Sequence, residues 1–108
     1  MSNATPPLVI KAKPHFARGN DWSLLEEVRS TIRDDHARFV LDLSGMDRIN
    51  SREIGVIAAC VKSARDAGGE LKLCGLNDFV ERVFHIAGMN TVVDSYTDSD
   101  AALASFTV

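Results

Sequence analysis

The most constraining feature of the sequence is a strand, a helix and a second strand that follow one another between residues 39 and 74. The first strand, Phe39 to Leu43, is almost continuously apolar, which is typical of a strand covered on both faces. Apolar residues then recur at helical spacing up to Gly68-Gly69, whose glycines can adopt the left-handed conformation that ends a helix. The strand Leu71 to Cys74 completes a βαβ unit. Because such units are parallel with a right-handed crossover, the sequence predicts an α/β fold.

The flanking segments continue this alternation of strands and helices. The further strands indicated by apolar, β-branched runs are Leu8 to Ile10, His15 to Arg18 and Thr91 to Val93. The further helices indicated by periodicity and capping residues are Leu24 to Ile32, Phe79 to Ala87 and Ala102 to Phe106. Together these elements predict a mixed sheet of four or five strands and about four helices.

The length of the chain limits it to one domain. Its 108 residues, of which 45% are hydrophobic, can bury one core but leave little room for a second. We expect this domain to span residues 8–108, and residues 1–7 to be a disordered segment or a remnant of cloning.

Charge and hydropathy argue against several classes of partner. The formal net charge is -3 and the sequence has no cluster of Lys and Arg, so binding to nucleic acid through phosphate neutralisation is not expected. No run approaches the about 18 apolar residues of a membrane span, and the N-terminus lacks a signal-peptide pattern. We therefore expect a cytoplasmic protein without direct nucleic-acid or membrane partners. Its two cysteines, Cys60 and Cys74, are predicted to be buried and reduced.

The sequence contains none of the common catalytic motifs. It has no Gly-rich phosphate loop, no His-Glu-x-x-His and no Cys-x-x-Cys, and its three histidines are scattered. We expect no enzymatic activity, no cofactor and no metal. Asp42 is unusual because it lies inside an apolar strand; we expect it to end the strand beside a loop or to hydrogen-bond a neighbouring turn.

The loop that follows the central predicted strand is the segment with the most functional character. Asn50 and Glu53 have the spacing of a capping box, which places the start of a helix at Ser51. A serine at that position is common because its hydroxyl bonds exposed backbone donors. Helix N-termini also accept phosphate groups well, so Ser51 is a candidate functional residue as well as a helix-start residue.

The residues from Phe39 to Gly88 resemble the STAS domain of bacterial anti-sigma factor antagonists. That family typically has an apolar strand ending near Asp-Leu-Ser, here Asp42-Leu43-Ser44, and then an Asp-Ser-(Ser/Thr)-Gly-Leu-Gly loop that enters a helix. A Gly-Gly turn, a strand and a helix ending before Gly-(Leu/Met) follow, and Gly68-Gly69 and Gly88-Met89 match them. The likeness covers about half of the chain almost without gaps. It implies a STAS-like single domain with a small mixed sheet and helices packed mainly on one side.

The resemblance also assigns a role to Ser51. In the family, the serine directly after the motif aspartate is phosphorylated by a partner kinase of the anti-sigma type, and Ser51 occupies that position. The motif is only partly kept: Asn50 replaces the aspartate, Arg52 the second hydroxyl residue and Glu53 the first glycine, whereas Gly55 is unchanged. The family often has a further acidic residue at the start of its first helix, for which Asp21 is the nearest candidate.

By this resemblance, the chain is expected to switch between partners. An anti-sigma factor or related serine protein kinase would bind the unphosphorylated chain and be released when Ser51 is phosphorylated, and a phosphatase would restore the first state. The residues expected to contact the partner are Asn50, Arg52, Glu53, Gly55 and Asp21.

Two other functions remain open at this point. Arg52 and Glu53 also fit a scaffold or accessory subunit whose loop is no longer phosphorylated. Alternatively, a nucleotide or small molecule would bind at the strand-to-helix crevice beside Asn50 and Ser51. Trp22 is expected to pack at the edge of the core, with a partner anchor as the alternative.

Three residues near the third predicted helix are also considered as part of the partner surface. These residues are Phe84, His85 and Met89.

Overall fold

The computed structural model describes residues 6–14, 16, 21–34 and 36–106. The strands are β1 (Leu8–Lys11), β2 (Arg38–Asp42), β3 (Glu70–Cys74) and β4 (Ser95–Tyr96). The helices are α1 (Ser23–Arg33), α2 (Ser51–Asp66), α3 (Asp78–Ile86) and α4 (Ser99–Ala104), with a short 3₁₀ helix at Met89–Thr91. The four strands form one sheet in the order β1-β2-β3-β4. The predicted α/β fold is therefore confirmed.

The predicted βαβ unit is formed by β2, α2 and β3. In the parallel pairing of β2 with β3, Phe39 lies beside Leu71 and Leu41 beside Leu73. These four side chains join the main core, which also contains the buried faces of α1, α2 and α3. Between Phe39 and Leu41, Val40 points to the opposite face, where it packs with residues of β3 and α4. Alternation along the strands thus places three helices on one face of the sheet and α4 on the other.

The turn between α2 and β3 depends on glycine. Gly68 has a φ of 83°, a left-handed conformation that most side chains disfavour. At Gly69, a Cβ atom would overlap the carbonyl group of Ala37, which precedes β2. The Gly-Gly pair therefore ends α2 and lets the chain turn closely past the start of β2 to enter β3.

Two details of the predicted sheet differ in the structure. Thr91 to Val93 is predicted as a strand, but Thr91 ends the 3₁₀ helix, Val92 and Val93 form the turn after it, and the last strand is Ser95–Tyr96. The apolar signal comes from Val93, which is buried in the main core, and its N–H donates to the carbonyl of Met89 in a tight turn. The sheet was predicted to be mixed, whereas all pairings among the described strands are parallel. The predicted strand His15 to Arg18 lies outside the described residues except for Phe16.

Both cysteines are buried and free, as predicted. Burial raises the pKa of the Cys60 thiol to about 12. Burial, followed by the charges of Asp42 and Asp98, raises the pKa of Cys74 to about 11. Low thiolate content makes both side chains poor nucleophiles near neutral pH.

Across the ranges that the structure describes, no helix combines the length and the apolar character needed to cross a bilayer.

Candidate functional site

The candidate site is built on the loop between β2 and α2, which is held from several sides. At the end of β2, Asp42 accepts a hydrogen bond from the Ser44 N–H at 2.9 Å, as predicted for a strand-ending aspartate. Further along, Met46 and Ile49 are buried in the core. The side chain of Asn77 donates to the carbonyls of Met46 and Asp47 at 3.3 and 3.1 Å. The loop is therefore tied both to the core and to the start of α3.

The start of α2 is closed by the predicted capping box. The Glu53 N–H donates to Asn50 Oδ1 at 2.8 Å, and the Asn50 N–H donates to Glu53 Oε1 at 2.9 Å. Glu53 is only 4% exposed, and it is the one charged residue buried in the described part of the chain. Glu53 therefore has too little exposed surface to contact a partner widely. It would affect binding by positioning Asn50.

Ser51 is the first residue of α2 and is exposed. Because the capping box sets the conformation of Asn50 on one side and of Glu53 on the other, Ser51 is presented to solvent at a defined position. The first backbone N–H groups of a helix point outward and carry a partial positive charge. This position can receive an anionic group without rearrangement of the helix.

Arg52 connects the start of α2 to the start of α1. Its guanidinium carbon lies 5.9 Å from the centre of the Trp22 ring, within the range of a cation–π contact. Trp22 is 46% exposed, so the expectation that it packs at the edge of the core is wrong. The sequence shows a tryptophan beside residues that favour a helix start, which marks Trp22 as a candidate contact residue. Its arginine partner is evident only from the packing of α1 against α2.

Asp21 lies at the same end of the domain and contacts the first turn of α1. It accepts hydrogen bonds from Ser23 Oγ at 2.6 Å and from the Ser23 N–H at 3.0 Å. These bonds, with the side-chain bond contributing most, lower the pKa of Asp21 below its usual value. Asp21 is therefore an exposed carboxylate placed one residue from Trp22, close to the predicted site.

A cleft of about 520 Å³ lies on the other side of the loop. Its walls are contributed by Pro14, residues 45–50, Glu53 and Phe79. Phe79 is 52% exposed, so one side of this cleft is an accessible aromatic ring. The cleft overlaps the crevice predicted for a small ligand at Asn50, whereas Ser51 does not line it, and Phe79 forms another part of its wall.

The partner surface predicted around the third helix is partly wrong. Phe84 and Met89 are buried in the core, and only His85 of that group is exposed. The aromatic residue of α3 that shares a cleft with the loop is Phe79 instead. Five residues along a helix correspond to about 140° of rotation, so Phe79 and Phe84 cannot share a face. That spacing, visible in the sequence, indicates that only one of the two rings can join the core, and the structure shows that it is Phe84.

Comparison with known proteins decides the family. Residues 8–102 match the family described as the STAS domain. The chain belongs to the STAS domain family. This STAS domain is 33% identical over 87 residues to a Bordetella bronchiseptica protein named as the anti-sigma factor antagonist BtrV, covering 81% of this chain and 75% of that protein. It is 35% identical over 72 residues to a Thermotoga neapolitana protein named as an anti-sigma factor antagonist, covering 67% and 64%.

Solved structures agree with this STAS fold. A crystal structure of an anti-sigma factor antagonist from Thermotoga maritima superimposes with a TM-score of 0.70 at 22% identity, over 91% of this chain and 86% of that one. The anti-sigma factor antagonist SpoIIAA in its unphosphorylated form gives a TM-score of 0.67 at 14% identity, over 96% and 92%. At these identities the likeness concerns the fold.

Gly55 is the one motif glycine retained in this STAS domain. It is exposed within α2, and a Cβ atom at this position would have open space among the described residues. Glycine inside a helix is less favourable than alanine by about 1 kcal/mol. The fold itself therefore gives no reason for a glycine here, in contrast to Gly69.

Proposed function

We propose that this STAS domain is an anti-sigma factor antagonist that acts by partner switching. In its unphosphorylated form it binds an anti-sigma factor or related serine protein kinase, and phosphorylation of Ser51 ends the complex. The observation that carries the proposal is the exposed Ser51 at the first position of α2, presented by the Asn50–Glu53 capping box. The names of the relatives support the class of partner.

The proposed modification transfers the γ-phosphoryl group of a nucleoside triphosphate to Ser51. The new bond joins Ser51 Oγ to phosphorus, the bond from that phosphorus to the β-phosphate oxygen breaks, and the Oγ proton passes to a base of the kinase. A phosphatase would reverse the change by hydrolysis. The domain itself supplies the substrate hydroxyl and no catalytic residue, so we propose a non-enzymatic regulator.

The charge of the phosphate accounts for release. Phosphorylation adds about -1.5 to -2 charges at neutral pH. The start of α2 tolerates this charge, since an anion at an exposed helix N-terminus is favoured by about 0.3 to 1 kcal/mol. The domain therefore keeps its fold, and the cost falls on the interface, where a dianion blocks close approach and repels acidic groups of the partner.

The proposed binding surface surrounds Ser51. Asn50, Arg52 and Gly55 are exposed on α2 or at its cap, and Asp21 lies at the start of α1. Glu53 contributes by holding Asn50. We place this activity in the cytoplasm, with a protein partner and without direct contacts to nucleic acid or membrane.

The test is a binding measurement with the purified anti-sigma factor or serine kinase of the same cell. Ser51→Asp should weaken binding at least tenfold, which corresponds to about 1.4 kcal/mol, while Ser51→Ala should bind like the wild type. Ser30→Asp, on the exposed side of α1, is the matched control for added charge. Mass spectrometry of the protein from native cells should find phosphate on Ser51. Equal affinities of the Ser51→Asp and wild-type proteins would refute the switch.

One observation favours a second function, that of a constitutive scaffold. Arg52 and Glu53 directly follow Ser51 where the family has small residues, and both are engaged within the domain, Arg52 on Trp22 and Glu53 in the capping box. Such a loop could bind a partner without being accepted by its kinase. This alternative predicts a stable complex that Ser51→Asp does not disturb, together with unmodified Ser51 in native cells.

A further inference from the structure

The contact between Arg52 and Trp22 joins two helix starts beside the proposed phosphorylation site. Trp22 is the N-cap residue of α1, and Arg52 is the second residue of α2. The guanidinium lies over the indole ring at 5.9 Å while the ring stays 46% exposed. Arg52 also directly follows Ser51 in the sequence, so the residue that contacts the start of α1 is the chain neighbour of the candidate hydroxyl.

A phosphate on Ser51 would compete with Trp22 for Arg52. The arginine side chain is long enough to turn towards a phosphate carried by the preceding residue, and its planar guanidinium matches the geometry of two phosphate oxygens. A charge-assisted, bidentate bond between guanidinium and phosphate is stronger than a cation–π contact with a half-exposed ring. The carboxylate of Glu53 is occupied by the Asn50 N–H and stays in the capping box.

We infer that Arg52 is a two-position residue that reports the state of Ser51 to the start of α1. With a free Ser51 hydroxyl, Arg52 stacks on Trp22; with a phosphoester on Ser51, it turns to the phosphate and leaves the indole ring uncovered. This inference rests on the proposed phosphorylation of Ser51. Phosphorylation would then alter a surface that extends from α2 to α1, and a partner that contacts the Trp22–Arg52 pair would sense more than the phosphate itself.

The experiment uses the full chain with phosphoserine installed at position 51 during translation. Trp22 is the only tryptophan of the sequence, so the fluorescence reports the surroundings of this one ring. We expect acrylamide to quench Trp22 more strongly in the phosphoserine protein, with a quenching constant that reaches the value of unphosphorylated Arg52→Ala. The Nε–Hε resonance of Arg52 should shift at the same time, because this group would then donate to phosphate oxygen.

Matched variants separate this switch from a direct effect of the phosphate on the ring. In Arg52→Ala, phosphoserine should leave the quenching of Trp22 unchanged. In Arg48→Ala, which removes the arginine on the cleft side, the full change should remain. An unchanged quenching constant in the phosphoserine protein, an equal change in the Arg52→Ala background, or loss of the folded amide spectrum on phosphorylation would each overturn the inference.

The outcome is independent of the kinase. Phosphoserine is installed without a kinase. If Ser51 is never phosphorylated in cells, the proposed function is contradicted, but the fluorescence experiment still tests the two positions of Arg52. Conversely, a phosphorylated Ser51 with an undisturbed Trp22–Arg52 contact would preserve the proposed function and eliminate this inference.

Discussion

Asn50 and Glu53 each accept a hydrogen bond from the other's backbone N–H at the start of α2, at 2.8 and 2.9 Å. These two bonds satisfy the backbone N–H groups of Asn50 and Glu53 from within the domain, without a partner or ligand. Since Ser51 lies between the two residues, its exposure is a property of the isolated domain. The loop is therefore preorganised for a partner, and the capping box is the first feature to test.

Asn50→Ala should destabilise the domain. The substitution removes the acceptor for the Glu53 N–H, and loss of such a cap costs about 1 kcal/mol, which lowers the unfolding temperature by about 4 °C in a domain of this size. Thermal unfolding followed by circular dichroism measures the change. Asn50→Asp keeps the acceptor and should unfold close to the wild type. If Asn50→Ala unfolds at the wild-type temperature, the capping box contributes nothing to stability.

Gly55 and Gly69 should respond oppositely to alanine. Gly55→Ala meets open space in a helix and should raise the free energy of unfolding by up to about 1 kcal/mol. Gly69→Ala places a Cβ on the Ala37 carbonyl and should destabilise strongly. Chemical denaturation of both variants tests this contrast. If Gly55 serves the interface, Gly55→Ala should also weaken partner binding despite its higher stability, whereas unchanged binding would place Gly55 outside the interface.

Stability should decline at alkaline pH because of the buried thiols. The pKa of Cys60 rises from 9.0 in an ordinary environment to about 12 in the folded domain. Above about pH 9 the unfolded chain therefore loses this proton while the folded chain keeps it, which favours unfolding as the pH rises towards 12. Urea denaturation between pH 8 and 11 should show this decline, and Cys60→Ala should reduce it. An identical pH profile for Cys60→Ala would contradict the assignment.

Lys72 should hold α4 against the second face of the sheet. Its Nζ donates to Ser105 Oγ at 2.7 Å and lies 4.4 Å from the centre of the Phe106 ring. Lys72→Met should destabilise the domain by about 1 kcal/mol and speed amide exchange in α4. Lys62→Met is the control, because its ion pair with Asp66 is exposed and should contribute at most about 0.5 kcal/mol. Equal exchange of α4 in both variants would show that Lys72 does not secure it.

Phe79 should be an anchor for the proposed partner. It lines the cleft beside Asn50, whereas Ile86 lies two turns further along α3 and is 79% exposed. Truncation of a residue that anchors an interface costs about 2 kcal/mol or more, so Phe79→Ala should weaken binding at least tenfold. Ile86→Ala should have little effect. Calorimetric titration with the partner checks both, and a stronger loss for Ile86→Ala would move the interface away from the cleft.

Local patterns predicted most of the fold because the physical causes are local. The strand around Phe39 and the glycines at the end of α2 were recognisable from neighbouring residues alone. The strand prediction at Thr91 to Val93 is wrong. A short β-branched run also suits a turn, and here the turn buries one side chain, Val93, in the core. The prediction that Trp22 packs at the core edge is wrong because the sequence shows the amphipathic character of tryptophan but not which side chain contacts its ring.

The sequence by itself determined the βαβ order, the capping box of α2 and the candidate hydroxyl of Ser51, since these depend on spacings of a few residues. Tertiary structure alone decided which side chains of other helices lie near the start of α2. Arg52 lies on Trp22 because α1 packs beside α2, and Phe79 and Asn50 line one cleft because α3 begins at the same edge of the parallel sheet. These contacts join residues about 30 positions apart, and their proximity is set by the core that orients the helices.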